Sequence, residues 1–320
     1  MIFGTLVEKL YRQRVYQRQD ISPLTFYFSP SDFEGLHWEE FSFLGHKGQK
    51  LNGCFYSYDN PDPNRLIVFD HGMGSGHRAY MREIEILAKR GYLVFSYDHT
   101  GTATSEGENI NGFAQSLNDL DHCLKVLKET DRCKDRKIAV MGHSWGGFST
   151  MNIGAIHHDI THLVALSGFI SVTQIVNQSF TGILRPYRKM IYGIEEKANP
   201  DYVAYNGENS LKNTAAKVLL IHSEDDPVVK ASYHFDLLKK SLQDQENITF
   251  LTLQGKKHSP NYTLDAVKYK DEYFADLSEK IKNNALTEAN AEEYKATFDW
   301  WRMTAQDKEV WDKIFAHLEG

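Results

Sequence analysis

Short apolar runs alternate with longer amphipathic stretches along most of the chain. RLIVFDHG (65–72), YLVFSYDHTG (92–101), KIAVMGHS (137–144), HLVALSG (162–168), KVLLIHSEDD (217–226) and ITFLTLQG (248–255) are each too short for a helix. They are also too rich in β-branched or aromatic residues, and they read as buried strands. Between them the periodicity predicts helices at about 77–90, 111–129, 147–157 and 229–243. Continuously apolar strands separated by helices imply a mostly parallel sheet covered on both faces. Before them, HWEEFSFLGHKGQKLNGCFYSYD alternates apolar and polar residues around Gly45 and Gly48, the mark of an antiparallel hairpin at the sheet edge. The expected fold class is therefore α/β, with an eight-stranded, mostly parallel sheet and helices on both faces.

Two stretches break the rhythm. From Phe169 to about Asn213 no strand is visible, and the segment reads as helical, aromatic and basic in its middle. Its position between two sheet strands makes it a helical cap insertion over the strand ends. The second stretch, 263–320, is strongly charged and helical, with Thr287 and Thr304 as expected N-caps. Its Tyr294, Phe298, Trp301, Trp311, Ile314, Phe315 and Leu318 recur at helical spacing and most should pack inward. The expected division is a core of 1–168 and 214–262, a cap of 169–213 and a helical C-terminal extension of 263–320. Within the core, Ile2, Phe3, Leu6, Val7, Leu10 and Tyr11 outline an N-terminal helix with one apolar face. That face is expected to pack on the protein's own body, with a lipid surface as the competing target.

Composition excludes several classes. The 320 residues, 41% hydrophobic and 25% charged, suit one α/β enzyme with insertions rather than a disordered or membrane protein. A net charge of −7 with no Lys/Arg block gives no phosphate-binding face, so no nucleic-acid partner is expected. No stretch approaches a membrane span, and charges at Glu8, Lys9, Arg12 and Arg14 interrupt any signal-peptide core. Cys54, Cys123 and Cys133 show neither CxxC nor metal-ligand spacing, as expected of reduced thiols in a cytoplasmic protein.

In open α/β sheets ligands sit beyond the carboxyl ends of the strands, and the chemistry is sought there. KIAVMGHSWGG puts Ser144 where a strand turns sharply into a helix, with Gly142 and Gly146 leaving room for the turn. A serine hydroxyl is a poor nucleophile without a positioned base, and the base needs an acid to hold its tautomer. After KVLLIH come Glu224, Asp225 and Asp226, and after ITFLTLQ comes His258, so acid and base candidates follow the serine in the order the fold dictates. His143, beside the serine, is expected to be structural. HGMGSG (71–76) fits an oxyanion loop, with the N–H groups of Met73 and Trp145 as donors; it lacks the GxGxxG or Lys-Ser/Thr spacing of a phosphate loop.

Taken together, HGMG, DHTGTATSEG, GHSWGG, HSEDDPVV and GKKHSP, in that order between about residues 50 and 262, resemble the α/β-hydrolase superfamily. The resemblance is nearest to serine hydrolases that look like lysophospholipases, monoacylglycerol lipases and serine aminopeptidases. It implies Ser144 as nucleophile, His258 as base, Met73 and Trp145 as oxyanion donors, and Asp226 as acid with Asp225 as second choice. Ser223 stands where the family pattern has Gly before the acid, and Ala103 departs from the second glycine of a turn that Asp98 and Ser105 otherwise match. The implied reaction is ester cleavage through an acyl-enzyme, with no cofactor and no metal, on a small-molecule acyl substrate.

Ile175, Val176, Phe180, Leu184, Tyr187, Met190 and Tyr192 suggest an apolar acyl pocket in the cap, although docking of the cap would also explain them. Glu195 and Glu196 are the groups an aminopeptidase would need for a substrate amine. Thioester cleavage, or a non-catalytic ligand-binding protein on the same fold, would also accommodate these motifs. The acidic tail is a candidate surface for a homodimer, or a cover for the active site.

Overall fold

The computed structural model describes residues 2–74 and 76–320. Ser75, part of the expected oxyanion loop HGMGSG, lies outside them. A single sheet holds eight strands: β1 (His37–Leu44), β2 (Lys50–Ser57), β3 (Arg65–Asp70), β4 (Leu93–Tyr97), β5 (Lys137–His143), β6 (His162–Leu166), β7 (Lys217–Ser223) and β8 (Ile248–Leu253). Their spatial order is β1-β2-β4-β3-β5-β6-β7-β8. β1 and β2 pair antiparallel, as do β2 and β4, whereas every pairing from β4 through β8 is parallel.

The helices follow from the same pattern: α1 (Ile2–Tyr11), α2 (Met81–Lys89), α3 (Gln115–Glu129), α4 (Trp145–Ile153), α5 (Val172–Ser179), α6 (Arg188–Ala198), α7 (Gly207–Lys212), α8 (Phe235–Leu242), α9 (Leu264–Lys282), α10 (Ala291–Ala296), α11 (Trp300–Met303) and α12 (Lys308–Glu319). Successive strand residues face opposite sides of the sheet, so each apolar strand feeds two cores. Leu66, Val68, Val140 and Leu163 pack with Leu117 and Leu120 of α3 and Phe148 of α4. Ile67, Met141, Val164 and Leu219 pack on the other face with Ile84 and Leu87 of α2.

Several boundaries differ from the sequence expectation for local reasons. The helix expected from 111 starts at Gln115, because Asn111 and Gly112 hold left-handed backbone with φ of 52° and 88°. The one expected from 229 starts at Phe235, after a separate 3-10 turn at Ala231–Tyr233. Thr304 is not the N-cap of the last helix. It follows α11, and its hydroxyl donates back to the Trp300 carbonyl oxygen at 2.7 Å. Asp307 takes the capping role, accepting from the Glu309 N–H at 2.9 Å and the Val310 N–H at 3.4 Å. Thr287 does cap, but only the single turn Glu288–Asn290. In α1 the expected apolar face divides: Val7 and Tyr11 are buried, while Phe3, Leu6 and Leu10 are 50%, 48% and 55% exposed.

The last helix changes the picture of the tail. Trp311, Ile314 and Leu318 of α12 belong to the same buried cluster as Ile67, Met141 and Leu219, so this helix covers one face of the sheet beside α2. Ile314 is fully buried there. Ile314→Ala should therefore cost about 2–5 kcal/mol in equilibrium urea unfolding. Ile281→Ala, at a half-exposed position of α9, should stay within about 0.5 kcal/mol of the parent.

Candidate active site

Ser144 occupies the bend between β5 and α4 at φ 56° and ψ −108°, a conformation that L residues rarely adopt. Its neighbours make the bend obligatory. A side chain at Gly142 would collide with the Gly146 carbonyl oxygen, and one at Gly146 would collide with the Asp70 carbonyl oxygen at the end of β3. The Ser144 N–H donates to the Leu166 carbonyl oxygen at 2.8 Å and its own carbonyl accepts from the Phe148 N–H at 3.0 Å, so the bend is clamped on both sides.

His258 reaches this serine from the loop after β8. Its Nε2 lies 2.9 Å from Ser144 Oγ, and its Nδ1 lies 2.7 Å from Asp226 Oδ2. Asp226 is fixed in turn: its Oδ1 accepts from the backbone N–H groups of Val228 at 2.8 Å and Val229 at 3.0 Å. Burial works against ionising Asp226, but the hydrogen bond and charge of His258 outweigh it and hold the carboxyl below its ordinary range. Asp225 faces the other way, accepting from Ser223 Oγ at 2.5 Å and the Gly255 N–H at 3.0 Å, and so braces the loop that carries His258. Glu224 accepts from Gln254 at 3.0 Å.

The segment expected to hold the oxyanion packs against the serine turn. A side chain at Gly72 would stand 3.2 Å from the His143 carbonyl oxygen, so the chain leading to Met73 runs directly beside the bend. Trp145 is the first residue of α4, and its N–H has no partner within the helix. Its indole is buried, donates to the Phe113 carbonyl oxygen at 2.6 Å and lies 4.8 Å from the His99 ring. It is therefore part of the core.

Several groups that the sequence leaves unassigned support this arrangement. His143 bonds Tyr80 Oη through Nδ1 at 2.8 Å and the His258 carbonyl oxygen through Nε2 at 2.6 Å, tying the serine turn to the histidine loop. Burial, reinforced by the charge of His258, keeps His143 neutral. Asp98 accepts from the His77 N–H at 2.8 Å, from His77 Nδ1 at 2.7 Å and from the Thr104 hydroxyl at 2.6 Å, making its turn a structural brace. Ala103, where the family pattern has glycine, takes the left-handed backbone itself, at φ 39°.

Under Trp145 lies a buried charge cluster. His99 Nε2 is 3.0 Å from Asp70 Oδ1 and its Nδ1 is 3.4 Å from Asp119 Oδ2, ion-pair contacts rather than aligned hydrogen bonds. Burial opposes the imidazolium, but the Asp70 and Asp119 carboxylates overcome it and push His99 up to about 9. Adjacent His71 is pushed down to about 3, by burial first and by the His99 charge second. The signal for this cluster was the repeated acid-histidine pair at strand ends, Asp70-His71 and Asp98-His99.

In the cap, one of the two candidate groups for a substrate amine is already engaged. Glu195 is fully buried, its carboxylate taken by the Tyr11 hydroxyl at 2.6 Å and the Phe113 N–H at 2.7 Å, so it is not free to receive a substrate amine. Glu196 is exposed. Ile175, Val176 and Phe180 are buried in the packing of the cap on the body. A cavity of about 300 Å³ beside Val176 and Tyr192 is rimmed by Arg188 and Lys189 and includes none of Ser144, Asp226 or His258. Among the described residues, no group of His, Cys, Asp and Glu side chains is arranged to hold a metal ion, and no helix is long and apolar enough to cross a membrane.

A mostly parallel sheet with an antiparallel edge, and a serine on a strained strand-to-helix turn, define the α/β-hydrolase fold. Solved structures agree. An esterase of Pyrococcus furiosus superposes with a TM-score of 0.60 at 20% identity, covering 83% of this chain and 98% of that one. A putative dipeptidyl aminopeptidase IV of Bacteroides ovatus gives 0.57 at 19% identity, over 80% of this chain and 36% of its own. At such identities the likeness speaks for the fold alone. The family described as serine aminopeptidase, S33, matches residues 61–210. Monoglyceride lipase of Rattus norvegicus is 30% identical over 126 residues, 38% of this chain and 39% of the lipase. Lysophosphatidylserine lipase ABHD12 of Xenopus tropicalis is 24% identical over 194 residues, 56% of this chain and 48% of that protein. The chain thus spans less than half of either relative. The chain has the α/β-hydrolase fold.

The charge cluster carries its own pH signature. A folded His99 pKa of about 9 against an ordinary 6.5 means that its stabilisation is complete below pH 6.5 and is lost as pH rises through 9. His99→Gln should cost about 3–5 kcal/mol near pH 6, because it leaves two buried carboxylates uncompensated. The gap between parent and variant, measured by urea unfolding, should narrow steadily from pH 6.5 to 9.

Proposed function

We propose that the protein is a serine hydrolase that cleaves carboxylic esters through an acyl-enzyme on Ser144. The reading rests on the bridge made by His258, 2.9 Å from the Ser144 hydroxyl and 2.7 Å from Asp226. In the first half-reaction His258 Nε2 takes the hydroxyl proton while Ser144 Oγ attacks the ester carbonyl carbon. The carbonyl oxygen becomes an oxyanion held by the N–H groups of Met73 and Trp145. The intermediate collapses, the C–O bond breaks, and His258 returns its proton to the leaving alcohol. In the second half-reaction His258 deprotonates a water that attacks the acyl carbon; the bond to Ser144 Oγ then breaks, His258 returns the proton to that oxygen, and the acid is released. Asp226 keeps Nδ1 protonated and stabilises the imidazolium that forms at each step.

A peptidase reading is weakened by the engagement of Glu195. Thioesters would pass through the same steps and belong in the same substrate panel. We place the boundaries of the core at 1–168 and 214–262, with 169–213 as cap and 263–320 as extension, α12 being the part of the extension that rests on the sheet. Three buried, unpaired cysteines support a cytoplasmic setting.

Ser144→Ala should lower kcat for a short p-nitrophenyl ester by about 10³-fold or more, with an unchanged circular dichroism spectrum. Turnover equal to the parent's, or native protein inert to a fluorophosphonate probe, would overturn the hydrolase reading and favour a non-catalytic ligand-binding protein. In the same assay Asp226→Asn should lower kcat by about 10⁴-fold. Asp225→Asn, which only loosens a brace, should lose less than about 10-fold.

A further inference from the structure

Between residues 22–27, the loop bearing Met73, and helices α9 and α11 lies a cavity of about 450 Å³. Its walls are apolar and aromatic, with Phe26, Tyr27, Leu277, Trp300 and Met303 among them, and half-exposed Phe274 beside them. Such a volume and lining suit a small ligand. Like the cap cavity, it is lined by none of Ser144, Asp226 and His258, but two of its wall residues lie on the segments that carry the site: Met73, whose N–H is assigned to the oxyanion, and Tyr262, in the loop that carries His258.

Among the described residues one cation lines this cavity, Lys270 of α9. Its ammonium donates to Ser259 Oγ at 3.1 Å and lies 5.0 Å from the centre of the Tyr262 ring. Among the described residues no carboxylate stands at ion-pair distance from it. The neighbouring lysines are different: Lys256 pairs with Asp307 at 2.5 Å, Lys257 with Asp271, and Lys268 with Glu272 at 4.0 Å. Glu83, the buried carboxyl on this side, is engaged by Asn261 at 2.8 Å and Gln306 at 3.3 Å, and its burial favours the protonated form. Burial likewise works against the charge of Lys270, with Glu83 and Asp271 opposing that effect. Its field still reaches the site, since it adds to the burial and the His258 charge that keep His143 neutral.

A cation beside apolar walls, held at close range among the described residues by a hydroxyl and a ring face and with no carboxylate at ion-pair distance, is costly unless an anion completes it. We propose that this cavity is the substrate pocket and that Lys270 selects esters carrying an anionic group, a carboxylate or a phosphate, close to the scissile bond. The closeness follows from Ser259, which holds the ammonium and directly follows His258. The inference rests on the ester-hydrolase reading above. It makes the C-terminal extension, rather than the cap, the element that sets substrate choice.

The test compares the parent, Lys270→Met and Lys270→Arg on matched p-nitrophenyl esters: hexanoate, the adipate monoester and the 4-phosphonobutyrate ester. Lys270→Met keeps an apolar stem of similar size. The ratio of kcat/KM for an anionic ester to that for hexanoate should fall about 10- to 100-fold in Lys270→Met and recover most of its value in Lys270→Arg. Whichever anionic ester suffers the larger fall identifies carboxylate or phosphate as the preferred group. An unchanged ratio, with both esters affected alike, overturns the proposal. Thermal stabilisation of the Ser144→Ala protein by adipate and by 4-phosphonobutyrate separates this failure from that of the hydrolase reading. Lys270-dependent stabilisation without any ester turnover would retain the pocket and discard the hydrolase. Turnover without Lys270 dependence in either measurement would do the reverse.

Discussion

The rest of the structure depends on one backbone crossing, where Gly146 at the start of α4 presses on the Asp70 carbonyl at the end of β3. Only with no side chain at Gly146, and none at Gly142, can β5 pass into α4 within a single residue. That residue, Ser144, absorbs the whole change of direction at φ 56°. Such backbone costs about 1–3 kcal/mol and persists only where the surroundings over-determine it. Here the flanking parallel strand does so, through the Leu166 carbonyl that receives the Ser144 N–H. The same crossing brings the segment that follows β3, at Gly72, against the serine turn.

Burying so many polar groups beneath a strained turn requires internal compensation. Asp70, His99 and Asp119 share charge in a region that water does not reach, and Ser149 of α4 adds its hydroxyl to Asp70. Asp119 also holds the Thr100 N–H and hydroxyl, each at 2.8 Å, and Gln115 at 2.8 Å. These bonds join the ends of β3 and β4 to α3 and α4. Trp145 seals the cluster from above. Its buried ring lies 4.8 Å from the His99 ring.

Local features of the sequence carried the parallel strands, the edge hairpin and the order of serine, acid and histidine. A buried strand declares itself by an unbroken apolar run, and a strand-to-helix elbow by its glycines. What was not legible depends on contacts between distant segments. Nothing near Glu195 indicates that Tyr11, far away in sequence, will take its carboxylate. Asp226 and Asp225 are adjacent and chemically alike, and only the path of the loop decides which one meets His258. Thr304 is a good capping residue, yet α11 ends there and Asp307 lies nearer the next helix start. The apolar residues of α12 gave the periodicity of packing but not its target, which proved to be the sheet.

That last helix bears on the site itself. Asp307 caps α12 with Oδ1 and receives the Lys256 ammonium on Oδ2 at 2.5 Å, while Lys256 also donates to the Tyr262 carbonyl oxygen at 2.6 Å. Asn261 joins the same knot, its carbonyl accepting from the Asp307 N–H at 2.8 Å. The loop from Lys256 to Tyr262 contains His258, so the position of the histidine is referred to α12, and through it to the opposite face of the sheet. A serine, an acid and a histidine spread over three strand ends can act together only if held within tenths of an ångström. The serine is held by strand β6, the acid by its own turn and the histidine by the tail. The segment that looked like an appendage is thus part of the frame.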